Sequence, residues 1–182
     1  MKLATTEDAA AALAALQRVI RHSSRELAIH PRQGWVAVPN DVGGDFSTAD
    51  GERIARTAEE TNDTEIWVIA GIKEPYEVYA VTAAANELRE ARNMVATTDA
   101  VFLPRSERWL YLASEAEFGV ALGAEASVAL LTGRDSAEAR SAFQRYLGDW
   151  QSVPPILHAV ADAPWETYPE LVAGQEFIVR WS

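Results

Sequence analysis

The 182-residue chain has no cysteine, which excludes disulfides, thiolate zinc sites, iron–sulfur clusters and a cysteine nucleophile together. Lysine is nearly as scarce: Lys2 and Lys73 stand alone, and every other cationic side chain is arginine. Three histidines, His22, His30 and His158, lie far apart, and none is paired at the i, i+4 spacing of a helical metal site. No Gly-rich phosphate cradle, no G-x-S-x-G elbow and no H-E-x-x-H helix is present. No apolar run approaches the roughly 18 residues of a membrane helix. The mild stretch from Ala9 to Leu16, closed by Gln17-Arg18, is too short for a signal peptide. These absences predict a cytoplasmic chain with no metal and no cofactor.

What is present is ordinary globular composition, 48% hydrophobic and 24% charged, with an excess of acid. The formal net charge is −11, from 27 acidic and 16 basic residues. Both halves share it, because residues 1–91 hold 9 basic and 15 acidic side chains and the remainder 7 and 12. Such a surface repels nucleic acid and anionic membranes, whose binding depends on Lys and Arg neutralising phosphate. The length suits one domain spanning residues 1–182, with Gln151 to Pro155 the nearest thing to a linker.

The hydropathy pattern predicts an α+β domain: a mixed, mainly antiparallel sheet with helices packed against it. Thr5, followed by Asp8, reads as an N-cap, and Leu13, Leu16, Ile20 and Leu27 predict one helix ending before Pro31. Trp35 to Pro39 reads as a strand, Asn40 to Asp45 as a loop, and Ser47 as the cap of a helix reaching about Asn62. The unbroken apolar run Ile66 to Ala70 predicts a strand covered on both faces. Strands are also expected at Tyr76 to Val81, Ala100 to Leu103, Trp109 to Ala113, Phe118 to Leu122 and Phe177 to Trp181. Between them, Thr82 would cap a helix with Ala84, Leu88, Ala91 and Val95 on one face. Asp135 to Glu138 would open another, closed by Gly148.

No catalytic set stands out, so the chain is expected not to be an enzyme. Carboxylate pairs such as Glu59-Glu60, Asp63 with Glu65, and Glu115 with Glu117 arise by chance among 27 acids, and their plain role is to keep a surface solvated. Gly43-Gly44 between Asp41 and Asp45 marks a loop that could enter a partner's cleft or hold a cation, although a plain turn before a helix is the better account. The charge distribution says more. No Lys or Arg falls between Arg145 and Arg180, a stretch that holds Asp162, Trp165, Glu166 and Tyr168. A second such gap runs from Gln33 to Glu52. Acids steer a basic partner and large aromatics anchor it. In Trp109-Leu110-Tyr111-Leu112 the two-residue period sets the aromatics opposite the leucines, so Trp109 and Tyr111 would stand outside unless a helix covers them. The candidate partner-binding residues are therefore Asp41, Asp45, Trp109, Tyr111, Glu115, Glu117, Asp162, Trp165, Glu166 and Tyr168.

In size, acidity and aromatic surplus the chain resembles the immunity proteins with which bacteria neutralise polymorphic toxins. That resemblance implies a non-catalytic domain that binds a basic toxin or enzyme and blocks its active cleft. A small acidic secretion chaperone would share these features. A ligand-binding or hydrolytic enzyme with a motif-free carboxylate site is the other alternative, and it would require a deep pocket with convergent polar groups.

Overall fold

The long apolar run between Glu65 and Ala70 sets the architecture. In the computed structural model it forms a strand buried on both faces, and strands on either side extend it into a seven-stranded sheet. The structure describes residues 2–23, 26–29, 32, 34–41, 46–71, 76–95, 98–115, 117–149, 157, 159, 160 and 177–180. In chain order the elements are β1 (Lys2–Leu3), α1 (Thr6–Gln17), β2 (Ile20–Ser23), β3 (Glu26–Ile29), β4 (Val36–Asp41), α2 (Thr48–Glu60), β5 (Glu65–Ala70) and β6 (Glu77–Thr82). There follow α3 (Ala85–Met94), β7 (Ala100–Pro104), β8 (Trp109–Ala113), β9 (Phe118–Gly123), α4 (Glu125–Thr132), α5 (Ser136–Gly148) and β10 (Phe177–Arg180).

The large sheet runs β1-β6-β5-β7-β8-β9-β4, and a small one runs β10-β3-β2. Every neighbouring pair in both is antiparallel. The α+β expectation therefore describes this chain, without the parallel pairing that a mixed sheet would include. Strand alternation divides the core into two layers. Trp67, Ile69, Val101, Leu103, Leu110, Leu112, Val120 and Leu122 meet α1 and α5 on one face. Ile66, Val68, Ala100, Phe102, Trp109, Tyr111 and Ala121 meet α2, α3 and α4 on the other. The edge strand β4 carries Pro39, which cannot donate to a neighbour, and α5 packs on it with Ala139 in one layer and Phe143 in the other.

Most predicted elements lie within a residue or two of these bounds, but three differ. The first helix ends at Gln17, because Ile20–Ser23 and Glu26–Ile29 are the antiparallel strands β2 and β3, with Ile20 opposite Ile29. The Ile20 and Leu27 spacing that suits a helix suits a strand pair as well. Thr82 closes β6 rather than capping α3, whose N-cap is Ala84 without a side-chain bond. Helix α4, absent from the sequence reading, follows Gly123 and ends at Gly133, whose φ of +73° gives the left-handed cap. Ser47 caps α2 as expected, and the structure adds Asp50 as the reciprocal partner that completes a capping box.

Packing of α2 on α3 depends on one glycine. A Cβ on Gly51 would lie 2.8 Å from the Ala85 carbonyl oxygen, so the helices can approach this closely only because Gly51 has none. Gly51→Ala should therefore destabilise the fold by about 1–3 kcal/mol, since backbone must shift to admit the methyl. Gly148→Ala, which would meet open space at the end of α5, should be neutral or stabilise by up to about 1 kcal/mol. Urea denaturation of the two variants checks the pair, and equal behaviour would remove the packing argument.

Candidate functional site

Antiparallel pairing gives the large sheet two unlike ends. One end gathers Asp41, Gly71, Asp99, Ser114, Glu115 and Glu117, next to the first or last residues of β4, β5, β7, β8 and β9. The other gathers the β7–β8 hairpin tip, the C-terminus of α2 and the β6–α3 junction.

The hairpin tip is tied down by charge. Arg105 donates to Asp8 on α1 at 2.8 Å and to Glu65 at 2.7 Å, and its guanidinium lies over the Trp67 ring. The Arg105 bond holds the Asp8 carboxyl below its ordinary range. Glu107, at a left-handed φ of +54°, accepts from Arg18 at 2.5 Å and from Arg32 at 3.0 Å, while Arg32 also caps the Glu107 carbonyl oxygen. Asp63 accepts from the Ser106 amide and hydroxyl and from Thr61.

Beside this clamp lies an open depression of about 960 Å³. One wall is a single stripe of α2 and the turn after it, Glu52, Arg56, Glu59, Glu60 and Asp63, at positions i, i+4, i+7, i+8 and i+11. Ala55 and the run Ala83-Ala84-Ala85 supply small, half-buried apolar surface across it. Four carboxylates and one guanidinium give this lining a formal charge of −3 (1 − 4). Asp63 is committed to the hairpin tip, whereas Glu52, Glu59 and Glu60 are exposed. Glu59 and Glu60 occupy the last turn of α2, which has no basic residue to answer the negative end of the helix dipole. The depression is broad and shallow rather than a closed pocket, a form suited to a protein surface more than to a small substrate. Among the described residues no three His, Asp or Glu side chains converge to hold a metal.

The sequence candidates divide into three groups. Trp109 and Tyr111 are fully buried, which overturns the expectation that they form an exposed face. The physical reason is the layer of α2, α3 and α4, which covers the sheet face to which period two directs them. Trp109 donates from Nε1 to Thr61 at 3.1 Å, and Tyr111 accepts at its hydroxyl from the Asn40 amide at 2.9 Å while packing against Phe102. Asn40, expected in a loop, is thereby a buried strand residue. Asp41, Glu115 and Glu117 come to one end of the sheet: Asp41 pairs in register with Phe118, beside Glu117. The Glu115 amide donates to Asp99, and Glu117, at φ +65°, offers its carbonyl to Tyr146. The side chain of Asp41 and the whole of Asp45, Asp162, Trp165, Glu166 and Tyr168 lie outside the described residues.

The acidic stripe of α2 was missed as a site, although its carboxylate pairs were seen. Its signal is the i, i+7, i+8 spacing on a helix already predicted, read for its polar face rather than its apolar one. Among the described residues no helix is long and apolar enough to cross a membrane. No family model, no characterised protein and no solved structure matches this chain.

Burial of the Asn40–Tyr111 pair makes its bond expensive to lose. Tyr111→Phe keeps the ring but leaves the Asn40 amide without that acceptor, so it should cost about 1–3 kcal/mol. Denaturant titration should show a lower midpoint with an unchanged slope; an unchanged midpoint would show that the Asn40 amide finds another partner.

Proposed function

We propose that this protein is a non-catalytic binding domain that docks a basic protein partner on the α2 groove and, in the manner of an immunity protein, neutralises a toxin or enzyme by covering its active cleft. The observation that carries the reading is the groove itself: an alanine floor beside a helix stripe in which Glu52, Glu59 and Glu60 face solvent. The alanines permit close approach of a partner backbone, and the carboxylates complement cationic side chains. The formal charge of −11 adds long-range attraction, which raises the association rate at low ionic strength.

Helix electrostatics support the same reading. Arg56 stands four residues from both Glu52 and Glu60 and offsets their mutual repulsion, but acids in a C-terminal turn still oppose the dipole by about 0.3–1 kcal/mol each. Selection for stability alone would place Lys or Arg there. Acid kept at a position where it destabilises is consistent with a role in recognition.

The test is the triple variant Glu52→Lys, Glu59→Lys, Glu60→Lys. It should fold with unchanged or slightly raised stability, because the new cations favour the helix C-terminus. Affinity capture from the source cell at low salt should return a basic protein with the wild type and not with the variant. With that protein purified, the variant should bind at least about tenfold more weakly, chiefly through a slower association rate that falls with added salt. Growth of cells expressing the partner should be restored by the wild type alone. Equal binding by wild type and variant would overturn the groove as the docking surface.

A further inference from the structure

The acidic wall of the groove is interrupted by a single cation. Arg56 stands one helical turn from Glu52 on one side and one turn from Glu60 on the other, all on the α2 stripe that lines the depression. The side chains of Glu52, Arg56, Glu59 and Glu60 are exposed, and among the described residues none of them enters a hydrogen bond or an ion pair. Closing an i, i+4 pair on an exposed helix gains only about 0.3–0.5 kcal/mol, so leaving both open costs α2 little. These charges are therefore open to a partner, in the order negative, positive, negative along the helix.

That order restricts what the groove accepts. A segment with cations all along its contact face would answer the glutamates but set one cation against Arg56, and like charges brought together in an interface cost up to several kcal/mol. A carboxylate at the centre of the segment turns that repulsion into a third attraction. Spacing narrows the choice further. Four residues of α2 rise about 6 Å, a step that a second helix lying along it repeats at i, i+4 and i+8. An extended segment sets its same-face side chains about 6.6–6.8 Å apart and drifts out of step. Ala55, Ala83, Ala84 and Ala85 have nothing beyond Cβ to hold such a helix away. Taking the groove as the docking surface, we infer that its occupant is an α-helix of the partner carrying cation, carboxylate and cation at i, i+4 and i+8. Arg56 sets the register of that helix and rejects a uniformly basic one.

Two stapled helical peptides of identical composition, each an alanine–glutamine helix with three arginines and one glutamate, are the probes. One sets Arg, Glu and Arg at i, i+4 and i+8 of one face, with its third arginine opposite. The other sets Arg at all three positions and its glutamate opposite. Binding to the intact protein is read by fluorescence anisotropy at low salt. The wild type should bind the first peptide at least about tenfold more tightly than the second. Arg56→Gln should bring that ratio near one and Arg56→Glu should invert it, and both variants should fold because Arg56 has no bond to lose. An unstapled form of the first peptide with a central proline should bind at least about tenfold more weakly than the stapled one; equal binding overturns the helix. A wild-type ratio near one, or a ratio that neither Arg56 substitution changes, overturns the role of Arg56 and leaves the docking surface in place. Binding that survives the triple change Glu52→Lys, Glu59→Lys, Glu60→Lys, or no binding of either stapled peptide at millimolar concentration, overturns the docking surface and its occupant together.

Discussion

Strands β5, β7 and β8 are buried on both faces, so each of their side chains must meet an apolar neighbour from one helical layer or the other. Two layers of helix are therefore required, and the chain supplies α1 and α5 on one side and α2, α3 and α4 on the other. Fully covering the centre leaves function to the rim: the ends of the sheet and the outward faces of the helices. This is where the acids of the chain have accumulated.

The two ends solve different problems. At the hairpin end, ion pairs from Arg105 and Glu107 reach Asp8 and Arg18 at the two ends of α1, Glu65 of β5 and Arg32, so one tight turn ties down four distant side chains. Pairs this exposed contribute little singly, but they share partners, and shared partners make a network. The left-handed backbone at Glu107 is tolerated because the surrounding contacts fix it. At the other end, polar groups are buried rather than networked, with Asn40 bonded to Tyr111 and Arg92 only partly satisfied.

The sequence made strands and their burial legible wherever the pattern had one interpretation. Ile66 to Ala70 is too short and too apolar to be anything but a central strand, and Ser47 announces a helix start by its chemistry. Legibility failed where one spacing serves two structures, as at Ile20 and Leu27, or where no cap announces the element, as at Ala124 before α4. It failed most plainly at Trp109 and Tyr111. Period two gives the face of a side chain but not what lies over that face, and the covering layer is assembled from three separate helices, α2, α3 and α4. The groove was hidden for the same reason: its floor comes from the β6–α3 junction and its wall from α2.

Helix α2 shows how the sheet's demand for cover and the surface's demand for charge are reconciled. Its inner face spends Gly51, Ile54 and Ala58 on close packing, and Asp50 joins its capping box while pairing with Arg53. Stability thus depends on one side of the helix and on its first turn, where acid and dipole agree. The outer stripe and last turn are released from that task, and there Glu59 and Glu60 sit against the dipole instead of with it. Because the two faces are separated by the helical period, the outer charges can be set by a partner while the inner contacts hold the fold. A surface that had to serve both purposes could not tolerate repulsion at its end; this one can, because the core beneath it is already closed.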